Sequence, residues 1–132
     1  MTLLLLLGCV AGPGDEPLPP VDTGAFYAEV EPILGDRCSN PACHGTAERP
    51  LQVYAENRHR MDTGAFWLDA PLTPDEHAAN LARARGFTGD PWLIARKALD
   101  PAVGGMTHVG GAVWMDPEDV EYVTLRAWAE GL

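Results

Sequence analysis

Apolar residues recur near helical spacing in four stretches of the chain, and each stretch opens on a helix-start signal. The first runs from the capping pair Asp22-Thr23 through Phe26, Val30 and Ile33 or Leu34 to Gly35, with Pro32 as an interruption. Three later sites, Thr73-Pro74, Asp90-Pro91 and Asp116-Pro117, place a capping side chain before proline at the first helical position. Thr73 with Glu76 makes a capping box, which predicts a helix through His77, Leu81 and Ala84 to Gly86. A second helix is predicted from Pro91 to about Leu99, offering Trp92, Leu93, Ile94, Ala95 and Ala98. The last, Pro117 to Glu130, puts Val120, Val123, Ala127 and Trp128 on one stripe. Its acidic residues crowd the first turn, where the helix dipole favours them, and Gly131 closes it. Leu51-Gln52-Val53-Tyr54 alternates enough for a brief extended segment, but no sheet is predicted, and the expected class is all-α. Asp-Thr-Gly-Ala-Phe occurs at Asp22 to Phe26 and again at Asp62 to Phe66; the flanks differ, so the pair is two similar helix entries or a coincidence.

Ahead of the helices lies an unbroken apolar run, Leu3 to Leu7, leading into Gly8-Cys9. It resembles the end of a bacterial lipoprotein signal, in which Leu6-Leu7-Gly8-Cys9 matches the lipobox and Cys9 becomes the lipidated first residue. Nothing basic precedes the leucines and the apolar run is short for a signal; a start codon further upstream would repair both. The alternative is a hydrophobic terminus with a spare cysteine. Residues 10–21 are rich in proline, glycine and acid and read as a tether, leaving 22–132 as the folded domain. No other segment is apolar enough to span a bilayer.

The chemistry concentrates in Cys38-Ser39-Asn40-Pro41-Ala42-Cys43-His44, followed by Gly45. Two cysteines with a histidine directly after the second form the attachment signature of c-type haem, here with four residues between the cysteines instead of two. Each thiol can add across a haem vinyl group to give a thioether, which holds the adjacent histidine beneath the iron as proximal ligand. Asn40-Pro41 is a turn signal that stiffens the longer loop. Two other chemistries are open to these residues. The cysteines could form a disulfide in an exported protein, or contribute to a zinc site, for which no further cysteine lies nearby.

Composition bears on the choice. With 132 residues, 12 prolines and 14 glycines, the domain is short and interrupted, and a haem would supply a large apolar plate for it to wrap. The three cysteines are all used if one carries lipid and two carry haem. A net charge of −10 disfavours nucleic acid and anionic membrane surfaces and suits either a basic redox partner or a solvated acidic surface.

An iron held by His44 has one face left, and His59, His77, His108, Met61, Met106 and Met115 are the candidates to fill it. Gly104 to Gly111 is a glycine-rich loop able to approach a flat cofactor, and it carries both Met106 and His108. His77 and His59 sit among charged residues and are expected to be solvated.

Taken in order, Val30-Glu31-Pro32-Ile33-Leu34, the Cys38 to Gly45 motif, Pro91 to Leu99, His108 with Gly110-Gly111, and Leu125-Arg126-Ala127-Trp128 with Gly131 resemble a c-type cytochrome domain. The pattern is similar to the planctomycete-type and related CxxxxCH domains of bacterial exported lipoproteins and covers about Phe26 to Leu132. The resemblance implies one covalent haem c on Cys38 and Cys43 with His44 as proximal ligand. Relatives carry either a methionine before prolines or a histidine followed by glycines at the distal position. This chain has the second pattern, which favours His108, then Met106, with Met115 third. The implied protein is an exported, membrane-tethered monohaem cytochrome that cycles between Fe(III) and Fe(II), an electron carrier and not an enzyme. It would sit on the periplasmic side of a bacterial membrane, anchored by lipid, with redox proteins of the cell envelope as partners and no nucleic acid. Two alternatives stay open: a haem enzyme or a gas- or peroxide-binding domain with an open iron site, and a haem-free structural lipoprotein with a Cys38-Cys43 disulfide.

Overall fold

The computed structural model describes residues 20–63, 69–89 and 92–132, which leaves Cys9, the tether up to Pro19, the second Phe of the repeated pentapeptide and the Asp90-Pro91 start signal outside the described residues. The described chain is all-α, with no strand beyond one isolated bridge between Leu99 and Trp114. Among the described residues no helix is long and apolar enough to cross a membrane.

Asp22 caps the first helix by accepting from the Ala25 amide at 2.9 Å. One turn, α1 (Thr23–Ala25), passes into a π-helical turn over Phe26–Val30 and continues as α2 (Glu31–Arg37). The Glu31 N–H reaches back five residues to the Phe26 carbonyl. Pro32 explains the widened turn: it has no N–H to donate, and its ring would crowd the carbonyl four residues earlier in a regular α-helix. The interruption expected at Pro32 is therefore a bulge, and the helix runs past Gly35 to deliver Cys38 as its C-cap.

α3 (Pro74–Arg85) has the predicted capping box and ends at Gly86. α4 is shorter than expected, only Leu93–Arg96, because Trp92 at its start has a left-handed φ of 52°. α5 (Val120–Glu130) starts later than expected. Asp116 caps a tight turn by accepting from the Glu118 amide, and it is Asp119 that accepts from Glu121 and Tyr122 and caps the helix. The stripe shifts with the start. Val120 and Val123 face solvent, at 76% and 44% exposure, whereas Tyr122, Leu125, Trp128 and Ala129 are buried.

The core joins the two ends of the domain. Phe26, Val30 and Leu34 pack with Leu125 and Trp128, with Ile94, Ala95 and Leu99 behind them. Phe26 and Trp128 have ring centroids 5.1 Å apart, and the Trp128 indole N–H donates to the Asp22 carbonyl at 3.0 Å. Burying a phenylalanine or leucine fully contributes about 1.5–3 kcal/mol, so these few residues dominate the docking of α5 on the first helix. Arg37 adds an exposed two-pronged contact to Glu121, with Nε 2.7 Å and Nη2 3.1 Å from its carboxylate oxygens.

Leu51–Tyr54 is not a regular extended strand. It is an irregular stretch whose residues 52–55 are buried, and Asn80 of α3 clamps its backbone, accepting from the Tyr54 amide at 2.8 Å and donating to the Tyr54 carbonyl at 3.0 Å. Asn80 also donates to Glu31, which ties α3 to α2.

Candidate functional site

The motif loop is folded by its own polar atoms. Asn40 takes the Ala42 amide on its side chain at 2.9 Å and the Cys43 and Gly45 amides on its carbonyl at 2.8 and 3.0 Å. Buried Ser39 donates its hydroxyl to the Gly35 carbonyl at 2.5 Å, fastening the loop to α2. Gly45 is required here, because a Cβ would lie 2.0 Å from the Ser39 carbonyl oxygen.

Cys38 and Cys43 are half-buried free thiols. Burial, reinforced by the neighbouring Cys43, pushes the Cys38 thiol up to about 12, so it is protonated at neutral pH.

His44 is held twice by the stretch that follows. Its Nδ1–H donates to the Leu51 carbonyl at 2.7 Å, and its own carbonyl accepts from the Val53 amide at 2.8 Å. The ring is thereby fixed in the tautomer that leaves a lone pair on Nε2. Burial lowers its pKa, opposed by the Leu51 hydrogen bond, and the nearby His108 and Arg49 lower it further.

The glycine-rich loop is pinned at both ends. Asp100 N–H donates to the Trp114 carbonyl at 2.9 Å, and the Val113 and Trp114 amides both donate to the Ala98 carbonyl. Gly105 passes so close to Leu99 that a Cβ would meet its carbonyl oxygen at 1.8 Å, and the Met106 amide donates to the Arg96 carbonyl at 2.7 Å. From this frame His108 projects, half-buried, with Nδ1–H donating to the Gly111 carbonyl at 2.9 Å. Its ring is parallel to that of His44 within 3°, with centroids 5.8 Å apart. The structure thus brings His108 beside His44 and gives both rings the same tautomer by the same device.

The other candidates lie elsewhere. Met106 is half-buried two residues before His108, and Met61 and Met115 are exposed. His59 and His77 reach the surface as expected, His77 with 40% of its side chain exposed, but each also has a partner. His59 stacks on Tyr54, with centroids 5.1 Å apart, and its Nε2 accepts from the Gln52 side chain. His77 donates Nδ1–H to buried Glu31 at 2.6 Å. Both are occupied because packed elements bring polar side chains to them, which local charge density does not reveal. Sequence reasoning also missed Arg60, buried against Glu76; no pattern around Arg60 distinguishes it from a surface arginine.

Three surface concavities of about 390 to 470 Å³ are lined by other residues and include none of Cys38, Cys43, His44 and His108. Comparison of the chain with protein-family models, with curated proteins and with solved structures finds no match.

Proposed function

We propose that the protein is an exported, lipid-tethered monohaem c-type cytochrome that carries single electrons, with Cys38 and Cys43 as thioether attachments, His44 as proximal ligand and His108 as distal ligand. The observation that supports this best is the pairing of His44 and His108. Two imidazoles in line across one metal, with bonds of about 2.0–2.1 Å and about 1.15 Å from nitrogen to ring centre, would have centroids about 6.4 Å apart. His44 and His108 lie 5.8 Å apart with stacked, parallel rings, about half an ångström inside that spacing, so small ring movements would bring both imidazoles to one metal.

The donor set suits haem c. Two unpaired thiols precede the proximal histidine in sequence, and each imidazole donates Nδ1–H to a backbone carbonyl, the usual support for a ligating histidine. When bound, the haem supplies an iron that exchanges one electron. The chain's own residues fix what surrounds it. Leu51 and Gly111 orient the two rings, the core pack of Phe26, Leu125 and Trp128 keeps the frame rigid, and the pinned loop holds His108 at a set distance.

The test is the absorption spectrum, oxidised and reduced, of protein exported in a host with a haem-attachment system, alongside His108→Ala and Met106→Ala. Wild type and Met106→Ala are expected to be low-spin, and His108→Ala high-spin. A high-spin Met106→Ala with low-spin His108→Ala transfers the distal role to Met106. Carbon monoxide binding by the reduced wild type would point instead to an open iron site. Absence of gel-stable haem, while a control cytochrome matures, overturns the proposal and leaves the disulfide lipoprotein.

A further inference from the structure

We propose that Gly111 is a positioning residue for the distal iron ligand: its left-handed backbone turns its carbonyl onto the His108 ring and sets the plane of that ring against His44. The role rests on the haem-binding function proposed above. His108 and Gly111 are the two ends of a tight turn and hold each other twice. The Gly111 N–H donates to the His108 carbonyl at 2.9 Å, and the His108 ring donates Nδ1–H back to the Gly111 carbonyl at 2.9 Å. A carbonyl only accepts, so the proton sits on Nδ1 and the lone pair on Nε2. Among the described residues the ring has no other hydrogen bond. Val109 and Gly110, at the corner of the turn, are exposed, so the setting of the ring depends on the turn and not on the core.

The second hydrogen bond needs the backbone of Gly111. Its φ is 82°, a conformation that L-residues rarely adopt, and a Cβ there would meet nothing within 4 Å. An alanine at 111 is therefore opposed by the backbone alone. With the N–H fixed by the turn, relaxing φ swings the carbonyl away from Nδ1 and leaves the ring without its acceptor. His44 differs, since its acceptor, Leu51, leads into a buried stretch clamped by Asn80. An acceptor on the other ring nitrogen fixes the tautomer and plane of a ligating imidazole and makes it a stronger donor, which favours ferric iron. Losing such support typically costs about tenfold or more in metal affinity, and a tenfold loss on the ferric side alone is about 59 mV. The plane has its own signature. Parallel imidazoles act on the same iron dπ orbital and split the pair, giving a rhombic ferric EPR spectrum of three lines, whereas crossed imidazoles leave the pair close in energy and give a single line at low field. The His44 and His108 rings are parallel within 3°.

The variants, all read as holoprotein, are Gly111→Ala, Gly111→Asn, since asparagine tolerates a left-handed φ, and Gly131→Ala, which meets the same backbone opposition at a φ of 76° at the end of α5. The readouts are the low-temperature EPR spectrum of the ferric protein and the midpoint potential. The wild type should be rhombic. Gly111→Ala should move toward the single low-field line and raise the potential by about 59 mV. Gly111→Asn should keep both near wild type, and Gly131→Ala should lose stability in urea while changing neither. If Gly111→Ala keeps both wild-type readouts, Gly111 only shapes the loop and the proposal is overturned. It is overturned equally if Gly131→Ala or Gly111→Asn shifts them as far. Should Gly111→Ala fail to mature, a wild type with the single low-field line overturns it alone. A wild type without haem, or a His108→Ala that stays low-spin, defeats the function proposed above first, and those outcomes are distinct from these.

Discussion

Glu76 holds together the stretch between the motif loop and α3, and Glu76→Gln tests how much that matters. The Glu76 side chain is 2% exposed. Its Oε1 accepts from Arg60 Nε at 2.9 Å and the Met61 amide at 2.8 Å, and its Oε2 from Arg60 Nη2 at 2.8 Å and the Thr73 amide at 2.9 Å. Burial alone would raise the carboxyl pKa. The Arg60 hydrogen bonds, the Thr73 and Met61 amides and the Arg60 charge outweigh it and bring the group from 4.5 down to about 2. A depressed carboxyl pKa contributes stability that is fully present above the unfolded value and is lost as pH falls through the folded one. Here the window runs from 4.5 down to about 2, and the contribution is about 3 kcal/mol. Glutamine removes the charge and leaves Arg60 buried without its partner, for which about 3–5 kcal/mol is expected at pH 7. Urea unfolding of both proteins between pH 7 and pH 2.5 measures the gap. Other carboxylates titrate alike in the two proteins and cancel in the difference, so the gap should shrink steadily below pH 4.5. A gap under about 1 kcal/mol at pH 7, or one that does not change with pH, would refute the reasoning.

Two glycines should respond in opposite senses. Gly45→Ala drives a Cβ into the Ser39 carbonyl at 2.0 Å, so the motif loop must open; a loss of about 1–3 kcal/mol in urea unfolding and reduced haem attachment are expected. Gly35→Ala, inside α2, meets only the Ala55 Cβ at 3.6 Å and should stabilise the fold by about 0.4–1 kcal/mol. In protein purified without haem attachment, Cys38 should be alkylated by iodoacetamide at pH 8 far more slowly than in urea, because burial keeps it protonated with a pKa of about 12. Equal rates in the two states would mean that the thiol is open to solvent.

Signals that act within a few residues were legible along the chain. Thr73 and Glu76 form their capping box because cap and partner lie three residues apart, and Asn40 folds the motif loop through its nearest amides. The same locality misled at α5, where Asp116 and Asp119 both carry a cap and only packing of Leu125 and Trp128 against the first helix selects the second. The buried polar network was out of reach, since Arg60 finds Glu76 across 16 residues and Asn80 finds Tyr54 across 26 and Glu31 across 49. The cysteine-histidine motif and the glycine-rich loop carrying Met106 and His108 were therefore legible from sequence alone. That the His108 ring lies parallel to the His44 ring was decided by tertiary structure, because Leu51 and Gly111 supply the carbonyls that orient the two imidazoles only once the loops are pinned.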